Sequence, residues 1–188
     1  MESGSRERIP AMNMIDIFED HADEIAEKIP YHGKIPQELL KDYTWDIHMD
    51  MLDTHPEELL DTNSSKMRIG LNSFHMRPSA PQFAKDIESA MQEVFALHGN
   101  KITNIAFTGF GPNSDSYPRH ADKMDVFLVQ VLGNIRICVD GLHDEPVDFV
   151  PGDYYWIPRG NHHQVFPERT RSTFSFGVEG NPDPSIYF

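Results

Sequence analysis

The tripeptide His120-Ala121-Asp122 contains two residue types that readily bind metal ions. In an extended strand, residues two positions apart point to the same face, so this imidazole and this carboxylate can share one metal. Two histidines and one carboxylate form the facial triad of iron(II) sites, which leaves coordination positions open for other ligands. Such a tripeptide is common by chance, and the third ligand has to come from another strand.

A second segment, residues 151–163, offers that ligand. Pro-Gly-Asp at its start predicts a turn, and Tyr154 to Ile157 predicts a short strand. Pro158-x-Gly160 then predicts another turn, which delivers His162 and His163 to the next strand. Adjacent strand residues face opposite ways, so only one of the two histidines is expected to bind the metal.

Together the two segments resemble the cupin-like, Jumonji C-type (JmjC) oxygenases that depend on iron(II) and 2-oxoglutarate, particularly the bacterial ribosomal-oxygenase-like branch. The similarity runs from about Asn104 to Gly180, well under half of the chain. It rests on the segment from Pro118 to Gly133 and on the Pro-Gly-Asp…Ile-Pro-x-Gly-x-x-His pattern. The resemblance implies a double-stranded β-helix, the jelly-roll core of cupins, and a dioxygenase that hydroxylates a protein side chain or a small molecule.

The resemblance also implies a ligand set for the metal, Fe(II). Carried over residue by residue, the catalytic metal ligands are His120, Asp122 and His163. His163 is preferred to His162 because the family places its ligand at this spacing after the proline, here Pro158. His162 is then expected at the surface or beside the ligands.

The residues that would hold the co-substrate, 2-oxoglutarate, are less regular. Related oxygenases carry Lys or Arg two residues beyond the glycine that corresponds to Gly133, and this cation pairs with the distal carboxylate. Here the position is Ile135, and Arg136 reaches the same place only if a bulge shifts the register. Other branches place Arg shortly after the distal histidine, followed at i+2 by Ser or Thr, and Arg171 and Thr173 have that form.

Tyr117 and Asn104 complete the candidate co-substrate contacts, since they stand where the JmjC-like enzymes often place polar groups. Other interpretations stay open for several of these residues. Arg136 can equally be read as an arginine on the outer face of a strand. Arg171 can be read as a charge at a strand edge, and Tyr117 as an aromatic side chain over the mouth of the barrel.

Two rival functions also stay open. Because Ile135 replaces the expected cation, one rival is a cupin metalloenzyme that does not use 2-oxoglutarate, such as a dioxygenase or an isomerase acting on its own substrate. The other is a non-catalytic cupin that binds a metal or another ligand.

The elements that must position these residues are predicted mainly in the second half of the chain. Short β-rich runs separated by turns predict a sandwich or jelly roll over residues 101–188. Within it, Asp125–Leu132 and Ile135–Val139 flank Gly133-Asn134 and predict a tight hairpin. Residues 1–100 are expected to be helical and irregular and to pack on the barrel, so that the whole chain forms one structural unit.

Two helices are predicted in that first segment. Apolar residues at helical spacing predict one from Ile15 to Ile29, ended by Pro30. The sequence Ser-Ala-Pro-Gln at 79–82 predicts a capping box for the other, which is expected to end at Gly99-Asn100. The histidines outside the two motifs, His48 among them, show no ligand spacing and are expected at the surface or at helix caps.

Composition limits the partners. The 188 residues contain 16 Lys and Arg and 30 Asp and Glu, a net charge of −14, which disfavours binding to nucleic acid and to anionic membranes. The single cysteine, Cys138, excludes an intramolecular disulfide and a thiolate zinc site. No apolar stretch approaches the ~20 residues that span a bilayer, and no signal peptide is evident, so we expect a cytoplasmic protein. A homodimer is compatible with the sequence.

Overall fold

The computed structural model describes residues 14–54, 70–76, 79–95 and 102–178. Its helices are α1 (Asp16–Glu19), α2 (Ala22–Glu27), α3 (Trp45–Asp53) and α4 (Gln82–Val94), with a 3₁₀ turn at Gln37–Leu39. Its strands are β1 (Tyr31–Lys34), β2 (Leu71–His75), β3 (Ile102–Gly109), β4 (His120–Ala121), β5 (Asp125–Leu132), β6 (Ile135–Val139), β7 (Val147–Phe149), β8 (Asp153–Ile157), β9 (His162–Pro167) and β10 (Arg171–Val178). None of the helices in these residues has the length and apolar character needed to cross a bilayer.

The strands form two sheets. The large sheet has six strands in the order β1-β8-β5-β10-β3-β2, and the small sheet has four in the order β4-β9-β6-β7. All pairings between the described strands are antiparallel. This arrangement is a jelly roll of the cupin type, which confirms the mainly β fold class predicted from the sequence.

Apolar side chains fill a layer on each face of the large sheet. Along β5, Val126 and Leu128 face the small sheet, whereas Phe127 and Val129 face the helices. This alternation follows from the period of two along a strand. Because both faces are covered, β5 is a nearly continuous apolar run rather than an alternating one.

Two strands come from the N-terminal half, where the sequence predicted none. Strand β1 pairs with β8, beginning at Tyr31 opposite Trp156, and β2 pairs with β3, beginning at Leu71 opposite Gly109. They form the two edges of the large sheet. The division of the chain at residues 100 and 101 stays a prediction.

The predicted N-terminal helix is wrong in its extent. The chain forms two short helices instead, and His21 between them has a non-helical backbone with φ −122° and ψ 27°. Lys28, just after α2, is left-handed with φ 57°, and Ile29 is 45% exposed rather than part of a packing face. The break lets each short helix lay a buried residue, Phe18 or Ile25, on the same apolar layer.

The predicted capping box is also wrong. Pro81 is the N-cap of α4, with an extended backbone, and no side chain caps the helix. Ser79 instead donates its hydroxyl to the carbonyl oxygen of Met76 at 2.9 Å. The helix therefore starts two residues later than the capping box predicts. Its predicted end at Gly99-Asn100 lies outside the described residues, and α4 itself ends at Val94.

The predicted hairpin around Gly133 does not form. Strand β5 lies in the large sheet and β6 in the small sheet, so the turn between them carries the chain from one sheet to the other. Gly133 is left-handed with φ 69°, and a Cβ there would overlap the carbonyl oxygen of Thr170. Gly-Asn between two β-rich runs suits a tight turn in either topology, and long-range pairing selects between the two.

Candidate metal centre

His120, Asp122 and His163 come together at one end of the small sheet. His120 in β4 and His163 in β9 are cross-strand partners, and Asp122 directly follows β4. The Nε2 atom of His120 lies 3.7 Å from Oδ1 of Asp122, and the Nε2 atom of His163 lies 3.6 Å from Oδ2. One ligand atom from each of the three residues falls within 4.8 Å of the others.

Backbone carbonyl groups orient both imidazole rings. The Nδ1 atom of His120 lies 2.8 Å from the carbonyl oxygen of Pro118, and that of His163 lies 3.4 Å from the carbonyl oxygen of Asn161. With the proton on Nδ1 donated to a carbonyl, Nε2 keeps its lone pair for a metal. The backbone N–H of Gly160 donates to the carbonyl oxygen of Asp122 at 2.9 Å and holds the chain after β4 in place.

The strand register separates the two adjacent histidines of β9. His163 is 4% exposed and faces the triad, whereas His162 is exposed and lies opposite Ala121. Burial, together with the nearby imidazole of His120, lowers the pKa of His163. A lowered pKa favours the neutral imidazole, which is the form that binds metals.

The three side chains fit a divalent transition metal. Two ligands at right angles around a metal, with bonds of about 2.1 Å, lie about 3 Å apart. With one ligand atom taken from each residue, the three atoms lie within 4.8 Å of one another, so the side chains have to contract around a bound metal. Two imidazoles and one carboxylate are the donor set typical of non-haem iron(II).

The triad lines a cavity of about 320 Å³ between the two sheets. Arg171, Thr173 and Ser175 also line it, because alternate residues of β10 point to the same face. The described lining residues other than the triad and Arg171 are uncharged and are not typical metal ligands. The cavity therefore has one fixed positive charge in addition to the candidate metal site.

Arg171 is a buried cation at 3% exposure. Its Nη1 donates to Oγ of Ser114, and its Nη2 donates to the carbonyl oxygen of Asp115 at 2.7 Å. Burial lowers the pKa of the guanidinium to about 10, so it stays protonated at neutral pH. In the described part of the chain no carboxylate lies within 4.0 Å of it. A buried guanidinium without a carboxylate partner favours an anionic ligand.

Arg136 does not lie in this cavity. Strand β6 pairs with β9 in unbroken register from Ile135 to Val139, so no bulge turns the arginine inward. Ile135 is fully buried between the sheets, whereas Nη2 of Arg136 donates to the carbonyl oxygen of Pro146 at 2.6 Å. The structure thus removes Arg136 from the candidate co-substrate contacts.

Asn104 is also removed from those contacts. Its neighbours Thr103 and Ile105 line the cavity, so alternation along β3 turns Asn104 to the opposite face. There its side-chain amide donates to Oε2 of Glu88 on α4 at 2.8 Å.

Tyr117 and Thr173 do line the cavity. The ring centroid of Tyr117 lies 5.6 Å from that of His120. Thr173 donates its hydroxyl to Oε1 of Gln130 at 2.6 Å. Ser114, the partner of Arg171, was not predicted as a site residue. Ser114 lies in a loop rich in Gly, Pro, Asn and Ser, which is only a weak signal for a functional site.

No family model and no curated protein sequence matches this chain. Among solved structures, a prolyl-4-hydroxylase from Pseudomonas putida is similar over 86% of this chain and 98% of its own, with a TM-score of 0.63 and 14% identity. A cupin superfamily protein from Desulfitobacterium hafniense aligns over 57% of this chain and 76% of its own, with a TM-score of 0.40 and 13% identity.

The ribosomal oxygenase YcfD from Escherichia coli, in complex with cobalt and 2-oxoglutarate, is also similar. The alignment covers 52% of this chain and 29% of that protein, with a TM-score of 0.41 and 19% identity. This chain thus spans less than a third of the ribosomal oxygenase. At 14% identity the likeness to the prolyl-4-hydroxylase shows the fold alone, the jelly roll described above.

Proposed function

We propose that this protein is an iron(II)- and 2-oxoglutarate-dependent hydroxylase. The observation that carries the proposal is that a triad of metal-binding side chains shares one cavity with a buried guanidinium that has no carboxylate partner among the described residues. 2-Oxoglutarate is a dianion with a 2-oxo acid at one end and a carboxylate at the other. A metal ion can bind the 2-oxo acid, and a cationic side chain can pair with the carboxylate at the other end.

His120, Asp122 and His163 would hold the iron through two Nε2 atoms and one carboxylate oxygen. Bound iron supplies the activation of oxygen, which a protein side chain alone does not perform. In the overall reaction one oxygen atom of O₂ enters a substrate C–H bond to give C–OH. The other enters succinate as 2-oxoglutarate loses CO₂.

The remaining residues bind and orient the co-substrate. Arg171 would pair with the distal carboxylate while Ser114 and the carbonyl group of Asp115 hold the guanidinium in place. Thr173, two residues further along the same strand, would donate its hydroxyl to the same carboxylate by turning it away from Gln130. Arg171 is buried at 3% exposure, which strengthens its charge-assisted contacts.

A cupin metalloenzyme that does not use 2-oxoglutarate is the second candidate function. It is favoured by Ile135, which stands where related oxygenases carry a cation and which is fully buried among apolar residues. In that case Arg171 would bind an anionic substrate directly. A cupin that binds a metal without catalysis is the third candidate.

Three measurements separate these functions. Purified protein loaded anaerobically with Fe(II) is titrated with 2-oxoglutarate, then exposed to oxygen, and succinate is quantified. Saturable binding and succinate formation, both lost in His120→Ala, support the proposal. Metal binding without affinity for 2-oxoglutarate supports the second candidate. Binding of both without succinate formation, even with oxygen and a range of substrates, supports a non-catalytic role.

A further inference from the structure

The cavity has a polar row with an apolar flank on each side. Strand β10, which carries Arg171, Thr173 and Ser175, lies in the middle of the large sheet between β5 and β3. The apolar residues that line the cavity beside this row are Val126 and Leu128 on β5, Ile105 and Phe107 on β3, and Leu71 on β2. A co-substrate that spans the metal and Arg171 occupies the polar row and leaves the flanks uncovered.

The two flanks differ in their access to solvent. Val126 and Leu128 are buried at 4% and 6% exposure and belong to the apolar layer between the sheets. Ile105 and Phe107 are half-buried, so a ligand from solvent can reach this flank.

Tyr117 extends the accessible flank toward the metal. Its ring packs edge-on against Phe107 at 5.9 Å between centroids and lies 5.6 Å from the ring of His120. We call Ile105, Phe107 and Tyr117 the apolar wall. It is a half-buried apolar part of the cavity lining, and it adjoins a candidate metal ligand.

Charge limits what can bind at this wall. Among the described residues that line the cavity, the triad and Arg171 are committed once metal and co-substrate bind. Among the described lining residues, no charged side chain then remains to pair with an ammonium, a guanidinium or a carboxylate of the substrate. Moving such a group out of water without a partner is strongly unfavourable. An uncharged hydrocarbon or aromatic group gains free energy when the wall removes it from water.

We infer that the substrate presents an uncharged, apolar aliphatic or aromatic group to the apolar wall, and that the carbon atom oxidised belongs to this group. The inference rests on the proposed function and names the substrate class for it. It disfavours the charged side chains of Lys, Arg, Asp and Glu as the oxidised group, because the described lining offers them no charged partner.

Three ring compounds of matched size test the inference: benzyl alcohol is neutral, benzylamine is a cation and benzoate is an anion at pH 7. Each is titrated calorimetrically into protein loaded with Mn²⁺ and saturated with 2-oxoglutarate. We expect benzyl alcohol to bind at least about tenfold more tightly than either charged compound. Equal or tighter binding of a charged compound, or no saturable binding of benzyl alcohol, overturns the inference.

A charge introduced into the wall provides the matched variant. Phe107→Glu is expected to reverse the order and favour benzylamine, whereas Phe107→Leu keeps the preference for benzyl alcohol. Phe166→Glu, on the outer face of the small sheet, is expected to leave the order unchanged. An unchanged order in Phe107→Glu, with metal loading confirmed, counts against the wall as the binding surface.

The outcome also distinguishes this inference from the proposed function. No heat from 2-oxoglutarate on metal-loaded protein refutes the proposed function. Normal binding of 2-oxoglutarate combined with a preference for benzylamine or benzoate refutes the substrate class alone.

Discussion

The guanidinium group of Arg171 occupies the space where a side chain on Gly109 would begin. The two residues are cross-strand partners in β10 and β3, and a Cβ on Gly109 would overlap Nη1 of Arg171. The same Cβ would lie 2.8 Å from Oγ of Ser114, which accepts the hydrogen bond from Nη1. The backbone of Gly109 is not left-handed, so this glycine provides space rather than an unusual conformation.

Gly109→Ala is therefore expected to displace the guanidinium of Arg171 and to weaken 2-oxoglutarate binding by about tenfold or more, the cost of one impaired charge-assisted contact. Metal affinity is expected to stay unchanged, because the substitution does not touch the triad. Calorimetric titration of metal-loaded protein measures both quantities.

A double-mutant cycle shows whether Gly109 acts through Arg171. In the Arg171→Ala background, Gly109→Ala should cause no further loss of affinity for 2-oxoglutarate. Losses that add in the double variant would mean that the glycine affects the cavity by another route.

Arg171 and Arg136 form a matched pair for the anchor of the co-substrate. Arg171→Ala is expected to reduce the affinity for 2-oxoglutarate by roughly ten- to a hundredfold, because a buried carboxylate loses its charged partner. Arg136→Ala is expected to leave it unchanged, since Arg136 binds a backbone carbonyl outside the cavity. The reverse result in the titration would place the anchor on β6.

His163 and His162 form a matched pair for the metal. His163→Ala is expected to abolish stoichiometric metal binding, because it removes one of three protein ligands, while His162→Ala retains the metal. Elemental analysis after gel filtration measures the bound metal. Retention in His163→Ala together with loss in His162→Ala would contradict the assignment.

The sequence predicted the jelly roll because short apolar runs between turns are what a sheet with both faces covered requires. It did not predict which sheet receives each strand. Gly133-Asn134 ends β5 in the same way whether the next strand pairs with it or crosses over. The edge strands β1 and β2 were missed because their alternation is short, and Gly33 weakens the β signal in the first of them.

Two members of the triad stand two residues apart and the third follows a marked turn-strand-turn pattern, but the choice of His163 over His162 came from the resemblance to the JmjC-type oxygenases. The co-substrate contacts depend on which face of a strand each residue occupies. Arg136 and Asn104 were assigned by position along the chain, and their strands turn both away from the cavity. The pairing of Arg171 with Ser114 joins residues 57 positions apart, which no local pattern indicates.

His48 is a fully buried residue within α3, neither at the surface nor at a helix cap, contrary to the sequence prediction. It has no exposed surface, and its ring nitrogens lie 2.7 Å from the hydroxyl oxygens of Tyr43 and Thr108. These contacts join α3 to β3. Burial lowers the pKa of His48 from 6.5 to about 4, because the charged imidazolium would lose its hydration.

This shift predicts how stability depends on pH. Above pH 6.5 the imidazole of His48 is neutral in the folded and the unfolded state, so its titration adds no pH dependence. Between pH 6.5 and about 4 the unfolded state binds a proton that the folded state does not, so the free energy of unfolding falls as the pH decreases. The loss reaches roughly 3 kcal/mol once the pH falls below the folded-state pKa of about 4, where both states bind the proton. His48→Gln retains a polar side chain but does not titrate, so urea unfolding from pH 7 to pH 4 should show a smaller decline than in the unsubstituted protein. Parallel stability profiles for the two proteins would show that His48 does not carry this pH dependence.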